Sequence, residues 1–286
     1  MELSTNIGYL RKKRGTSELR DMITCAKIVK EAGFHYVDFS GNYYIMNDDW
    51  RETTNKILDD FEKVGITVDQ THAPYTNLPY GSAGMDEDVY KEHMRRAFEL
   101  SHMANAKHIV IHADKYTPDE NGFDFNKALN TVYDFYAPYV EYAKKVGLGV
   151  AIENLFDNWN GPRTRFTSFV EEQKAIIDKF NDPIVTACWD FGHGKVAYRA
   201  KHLDAMKQLG GLITCTHVHD NLNCGPDLHQ NCFLGDCDWE SVMAYLKEIG
   251  YAGTFTFEMV YGVLPDALLS KYMKLFYETG EYLINL

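Results

Sequence analysis

The stretch KVGLGVAIENL, Lys145–Leu155, passes from the close of one kind of segment to the end of another. An amphipathic run stops on Gly147, a usual helix terminator, because glycine takes the left-handed cap conformation without steric cost. A short, apolar, β-rich run follows, GVAIENL (Gly149–Leu155), and near its end stands Glu153. The same succession recurs in EAGFHYVDF (Glu31–Phe39), KVGITV (Lys63–Val68) and EIGYAGTFTF (Glu248–Phe257).

Extending this reading over the chain predicts eight strands. Four lie in the first half: LSTNIGYL (Leu3–Leu10), YVDFS (Tyr36–Ser40), TVDQTHA (Thr67–Ala73) and HIVIHAD (His108–Asp114). GVAIENL is the fifth, followed by VTACWDF (Val185–Phe191), ITCTHVHD (Ile213–Asp220) and GTFTFEM (Gly253–Met259). Between them run amphipathic segments such as SELRDMITCAKIVKEAG (Ser17–Gly33) and DEDVYKEHMRRAFELSHMANA (Asp86–Ala106). Strands apolar on both faces suit a parallel sheet covered by helices. Eight β–α units in 286 residues predict a single α/β domain over residues 1–286, a (β/α)8 TIM barrel. A doubly wound open sheet suits the chain less well, since no Gly-rich phosphate loop follows the first strand.

The composition is that of a globular protein, 45% apolar and 24% charged. A net charge of -12 weighs against a broad nucleic-acid surface. No apolar run approaches the roughly 18–20 residues that span a bilayer. The N-terminus, MELSTNIGYLRKKRG, has its charges after a short apolar piece, the wrong order for a signal peptide. The six cysteines, Cys25, Cys188, Cys215, Cys224, Cys232 and Cys237, are too sparse for a disulfide scaffold. Reduced thiols and a cytoplasmic location are the expectation.

In a parallel barrel, chemistry gathers where strands end and the following loops begin. The third strand ends in His72, the fourth in His112, the fifth in Glu153 and the sixth in Asp190, with His193 three residues on. The seventh ends in His217, with His219 and Asp220 beyond it, and the eighth in Glu258. One polar strand end is usually structural. Six in succession would bring carboxylates together at a desolvating mouth unless a cation sat among them. The N/O donor set suits Zn2+, Mn2+, Co2+ or Fe2+. Cys224, Cys232 and Cys237 crowd the loop carrying Asp227 and His229, but without the C-x-x-C pair of a structural zinc knuckle.

These residues resemble the xylose-isomerase-like TIM-barrel superfamily, which holds sugar and sugar phosphate isomerases and epimerases together with endonuclease IV. The resemblance runs from the first strand to the eighth. It is carried by THAPY with His72, VIHAD with His112, AIEN with Glu153, and CWDFGHG with Asp190 and His193. THVHDN with His217, DLH with Asp227 and His229, LGDCDW, and TFEM with Glu258 complete it.

The resemblance implies roles. The sugar-acting members hold one divalent metal on residues matching Glu153, Asp190, His217 and Glu258, often manganese, with Zn2+ the other leading candidate and Mg2+ a further one. His193 matches a residue that touches a substrate oxygen. Endonuclease IV members hold three zinc ions, and His72, His112, Glu153, Asp190, His193, His217, Asp227, His229 and Glu258 would supply their ligands.

For the sugar reading, a chelated metal polarises a carbonyl and acidifies the neighbouring C–H. Glu153 and Glu258, from separate strands, then serve as the catalytic pair that removes and returns the proton through an enediolate. The expected partner is a small-molecule sugar, keto-sugar or cyclitol. No organic cofactor and no membrane are expected, and self-association is left open. Aromatic loop residues suit such a ligand, since sugar C–H faces stack on rings. They are Tyr43, Tyr44 and Trp50, Tyr75 and Tyr80, Trp159 and Phe166, and Tyr261. His219 is either a substrate contact or a loop hydrogen-bonding group, and Asp220 an orienting neighbour. Some epimerase relatives carry an arginine beyond the seventh-strand histidine, where this chain has Asn221-Leu222-Asn223-Cys224. Arg163, Arg165 and Lys195 in other mouth loops could serve a phosphate instead. For the alternative, an abasic-site endonuclease, Arg11, Lys12, Lys13 and Arg14 follow the first strand, but the loops NDDW, GMDED and TPDENGFD present an acidic rim that repels phosphates.

Overall fold

The computed structural model describes residues 1–75, 86–157, 161–222 and 226–286. Trp159, Tyr80, Asn223 and Cys224, singled out above, lie outside the described residues.

Eight parallel strands form a nearly closed barrel. They are β1 (Leu3–Asn6), β2 (Tyr36–Asp38), β3 (Thr67–His72), β4 (His108–His112), β5 (Gly149–Glu153), β6 (Val185–Asp190), β7 (Ile213–His217) and β8 (Phe255–Phe257). The hydrogen-bonded order is β7-β6-β5-β4-β3-β2-β1-β8. The ring closes between β7 and β8 through one parallel bridge, Val218 with Phe257. There Val218 N donates to Thr256 O at 2.7 Å and Glu258 N to Val218 O at 3.1 Å.

Helices alternate with the strands: α1 (Met22–Ala32), α2 (Trp50–Val64), α3 (Glu87–Met103), α4 (Phe125–Val146) and α5 (Val170–Phe180). After β6 come α6 (Phe191–Tyr198) and α7 (His202–Lys207), then α8 (Trp239–Glu248) and α9 (Asp266–Ile284). Aspartates start several of them: the side chains of Asp21, Asp86, Asp124 and Asp238 accept first-turn amides. Gly147 ends α4 at φ +72°, which a larger side chain would adopt only with strain.

Strand periodicity sorts the side chains. Val110, Ala151, Cys188 and Cys215 form a small apolar layer of their own. Each lies two residues before His112, Glu153, Asp190 and His217, and so on the same face of its strand. Val150 and Ile152 point the other way, into the main core with Trp50, Phe98 and Trp239.

Two expected strands are shorter than their sequence patterns. At Ile7 the backbone turns helical, and Gly8–Arg11 forms a 3-10 turn, so the first strand stops at Asn6. Glu258 stands one residue beyond β8, fixed by its amide on Val218.

Candidate active site

The barrel register brings the strand-end residues together. His112 pairs with Glu153 across β4 and β5, and Asp190 with His217 across β6 and β7. Glu153 lies between four imidazoles. Its Oε2 is 3.1 Å from both His72 Nε2 and His112 Nε2, and its Oε1 is 3.1 Å from His193 Nδ1 and 3.4 Å from His217 Nδ1. Burial works against charge on Glu153, yet His217, His112 and His193 outweigh it and hold the carboxyl well below its ordinary range. Burial also opposes charge on Asp190, and His193 and His219 draw its carboxyl down.

Asp190 ends β6 and caps α6. Its Oδ1 accepts the His193 amide at 2.6 Å, and its Oδ2 lies 3.0 Å from His219 Nε2. Asn154, the residue after Glu153, clamps the two strand ends: its Nδ2 donates to Asp190 O at 2.9 Å and its Oδ1 accepts from Asp190 N at 2.7 Å. The Asn154 carbonyl also lies 2.9 Å from His193 Nδ1 and fixes that ring. Burial disfavours a proton on His193, but Asp190 and Asp227 raise its pKa well above the ordinary value.

Both ring nitrogens of His217 are buried without a hydrogen bond. Nδ1 lies 3.4 Å from Glu153 Oε1, 3.8 Å from Asp190 Oδ2 and 3.7 Å from Glu258 Oε2. These separations are too long for hydrogen bonds. They suit ligands of one cation, since donors about 2.1 Å from a tetrahedral ion stand about 3.4 Å apart. Glu153, Asp190, His217 and Glu258 each bring one donor atom within 4.8 Å of the others, and the set fits a divalent metal. His72, His112 and Glu153 form a second such group, and His219, Asp227 and His229 a third. In the third, the rings of His219 and His229 stack at 4.0 Å. His229 Nε2 lies 2.8 Å from Asp227 Oδ2 and its Nδ1 is 2.9 Å from the Glu258 carbonyl. Burial opposes the proton on His229, but Asp227 raises its pKa to about 9. His229 holds a left-handed φ of +46°, a strained conformation held in place by these contacts.

A cavity of about 170 Å3 opens over these groups, lined among others by Tyr75, Phe156, Arg165, His193, Asp227 and Glu258. Of the expected aromatics, Tyr75 borders this cavity and Tyr43 an adjoining one. Tyr44 borders neither among the described residues: its ring is buried beside Phe39 and under Arg11. Trp50, Phe166 and Tyr261 are also packed in the interior. Lys195 falls within α6, buried, and donates to Asp236 O at 2.5 Å rather than facing the cavity. Asp220 accepts from Asn221 N, Phe233 N, Cys237 N and Trp239 Nε1, so it shapes the loop after β7.

Four participants were given no role from the sequence: Asp38, Asn154, Tyr9 and Phe156. Asp38 Oδ2 lies 3.4 Å from His217 Nε2. Tyr9 sits on the 3-10 turn after β1 and lines the cavity. Only the AIEN motif held a signal, for Asn154.

Comparison with curated proteins by sequence gives no match. Among solved structures, the chain is similar to a D-tagatose 3-epimerase-like protein at 20% identity and a TM-score of 0.73, covering 100% of this chain and 98% of the other. It is also similar to a D-psicose 3-epimerase determined in the presence of D-fructose, at 14% identity and 0.75, with 99% of each chain covered. An IolI protein with a zinc atom aligns at 16% identity and 0.73, over 99% of this chain and 98% of the other. A family model described as xylose isomerase-like TIM barrel matches residues 26–278. With its eight parallel strands and the match running through all but the first of them, the chain belongs to the xylose isomerase-like TIM barrel family.

Proposed function

We propose that this protein is a divalent-metal-dependent isomerase or epimerase of a sugar, keto-sugar or cyclitol. The observation that carries the reading is the convergence of Glu153, Asp190, His217 and Glu258 on one point at the barrel mouth. The two epimerase-type neighbours, one determined with a ketose, support the substrate class, and the zinc-bearing neighbour supports a metal. Mn2+ and Zn2+ are the leading candidates for the N/O donor set.

The metal, when bound, polarises a substrate carbonyl and acidifies the adjacent C–H. Glu153 and Glu258 arise from strands on separate sides of the ring and act as the base that takes the proton and the acid that returns it. His193, its Nδ1 held at the Asn154 carbonyl, offers Nε2 to a substrate oxygen. Tyr9, Tyr75 and Phe156 confine the sugar and exclude water from the reacting face. The buried thiols of Cys25, Cys188, Cys215 and Cys232 suit a reducing compartment such as the cytoplasm.

The test is exchange of substrate C–H with deuterated water across a panel of ketoses and inososes, using fully metal-loaded protein. Exchange is expected in at least one substrate and is expected to vanish in Glu153→Gln and Glu258→Gln. Retained turnover in both variants would contradict the two-carboxylate mechanism, and no exchange across the panel would remove the isomerase reading.

A second reading, an abasic-site endonuclease, is favoured by one observation: the two further donor groups at His72/His112 and at Asp227/His229. Elemental analysis separates the two, because one metal per chain sinks the trinuclear version. Chelation-sensitive nicking of an abasic duplex would promote it.

A further inference from the structure

The cavity does not end at the carboxylates and imidazoles. Tyr9, His72, Tyr75 and Glu258 border the inner space of about 170 Å3 and also a second chamber of about 360 Å3. The outer chamber lies against the segments after β1 and β2, where Gly8, Ser40, Asn42, Tyr43, Met46 and Asn47 form its further walls. It has about twice the volume of the inner space.

The wall chemistry limits what fits there. No Lys or Arg is among the described residues lining the outer chamber, and the carboxylates of Asp38 and Glu258 border it. These two carboxylates disfavour a phosphate or carboxylate on the substrate, although Arg11 and Arg96 stand behind the walls at Tyr43 and Asn47. Arg165 lines the inner space and is not among the described residues lining the outer one. The tyrosine rings offer apolar faces of the kind on which sugar C–H groups pack. The Asn6 amide is consumed by Met259, accepting its N–H at 3.1 Å and donating to its carbonyl at 3.3 Å. Asn42 differs: its Oδ1 is buried and accepts no hydrogen bond among the described residues. A buried amide oxygen left alone is costly, and a hydroxyl donor on a ligand would satisfy it.

We propose that the substrate carries a second, uncharged sugar ring, which the outer chamber binds while the reacting ring lies in the inner one. This rests on the isomerase reading and narrows its substrate class to a glycosylated sugar.

Binding and turnover are measured separately on metal-loaded protein. Calorimetry compares D-fructose with turanose, maltulose and isomaltulose, in which the same ketose carries a glucosyl group at different hydroxyls, and with fructose 6-phosphate. At least one keto-disaccharide is expected to bind tenfold or more tightly than fructose. Asn42→Leu is expected to erase roughly fivefold to tenfold of that gain, the worth of one hydrogen bond. Met46→Trp, at an exposed site on the chamber's edge, tests the same point without touching buried packing, and is expected to weaken the disaccharide more than fructose. Disaccharides that bind no better than fructose, or tighter binding of fructose 6-phosphate than of any disaccharide, would overturn the proposal. Disaccharide preference without C–H exchange would leave the second ring standing and sink the isomerase reading. Exchange in simple ketoses without that preference would do the reverse.

Discussion

Asp38 Oδ2 lies 3.4 Å from His217 Nε2 across the barrel mouth, and Gln70 Nε2 donates to the same oxygen at 2.8 Å. At 3.4 Å this is a charge contact rather than a hydrogen bond; in the proposed metal reading, a carboxylate behind the imidazole favours the proton on the nitrogen facing it and leaves the other lone pair for the metal. Here that other atom is Nδ1, the one that faces Glu153, Asp190 and Glu258. In that reading Asp38 is a positioning residue. Asp38→Asn is expected to weaken metal binding by about tenfold to a hundredfold in a competitive chelator titration. Unchanged affinity would remove Asp38 from this role.

Gly192, the second residue of α6, lies against the His219 ring, and a Cβ there would collide with the imidazole. The ring is rigid and pinned at Asp190 Oδ2, so it cannot yield cheaply. Gly192→Ala is expected to cost about 1–3 kcal/mol as overpacking and to lower Tm by several degrees. Thermal unfolding checks this, and an unaltered Tm would show that His219 has room to move.

Asp220 is fully buried and takes three donors from the loop that carries Asp227 and His229 and a fourth from Trp239 at the start of α8. Asp220→Ala strands the Trp239 indole N–H and several loop amides together. A loss of about 3 kcal/mol or more is expected in urea unfolding. A loss under about 1 kcal/mol would mean that water replaces the carboxylate.

His202 gives a pH signature away from the site. Burial, with the nearby charge of Lys195, depresses its pKa to about 4 from an ordinary 6.5. The folded protein thus keeps His202 neutral where the unfolded chain takes up a proton. Stability from this residue is full above about pH 6.5 and drains away as pH falls toward 4, by at most about 3 kcal/mol. His202→Gln is expected to flatten that part of the stability–pH curve. An identical slope in the variant would refute the assignment.

The barrel was readable because the strands carry their signal within a few residues: an apolar run, in six of them a polar end, and in several a glycine stop before it, as at Gly147 and Glu153. The meeting of His112 with Glu153 follows from regular register, whereas Asp190 reaches His217 past a register shift between Ala187 and Cys188. What escaped depends on local turns or on partners distant in sequence. Asp38 is the last residue of a strand expected to continue through Ser40, and its meaning comes from Gln70 and His217. Tyr9 was hidden in an expected strand, and the 3-10 turn after Asn6 puts it on the cavity wall instead. Tyr44 and Lys195 fail in the opposite sense, since a ring or an ammonium near the mouth can as easily be drawn inward by a cation-π contact or a carbonyl. Asn154 was quoted with its motif, but its amide serves two backbone groups, which no spacing rule reveals.

The narrow join between β7 and β8 has a kinetic meaning. It is one bridge wide, and it runs between His217 on one side and Glu258 on the other. An ion gripping both residues would rivet the barrel at its weakest circumference. The amides of Val218 and Glu258 would then report on occupancy of the mouth through their hydrogen-exchange rates, fast when the join breathes and slow once it is riveted.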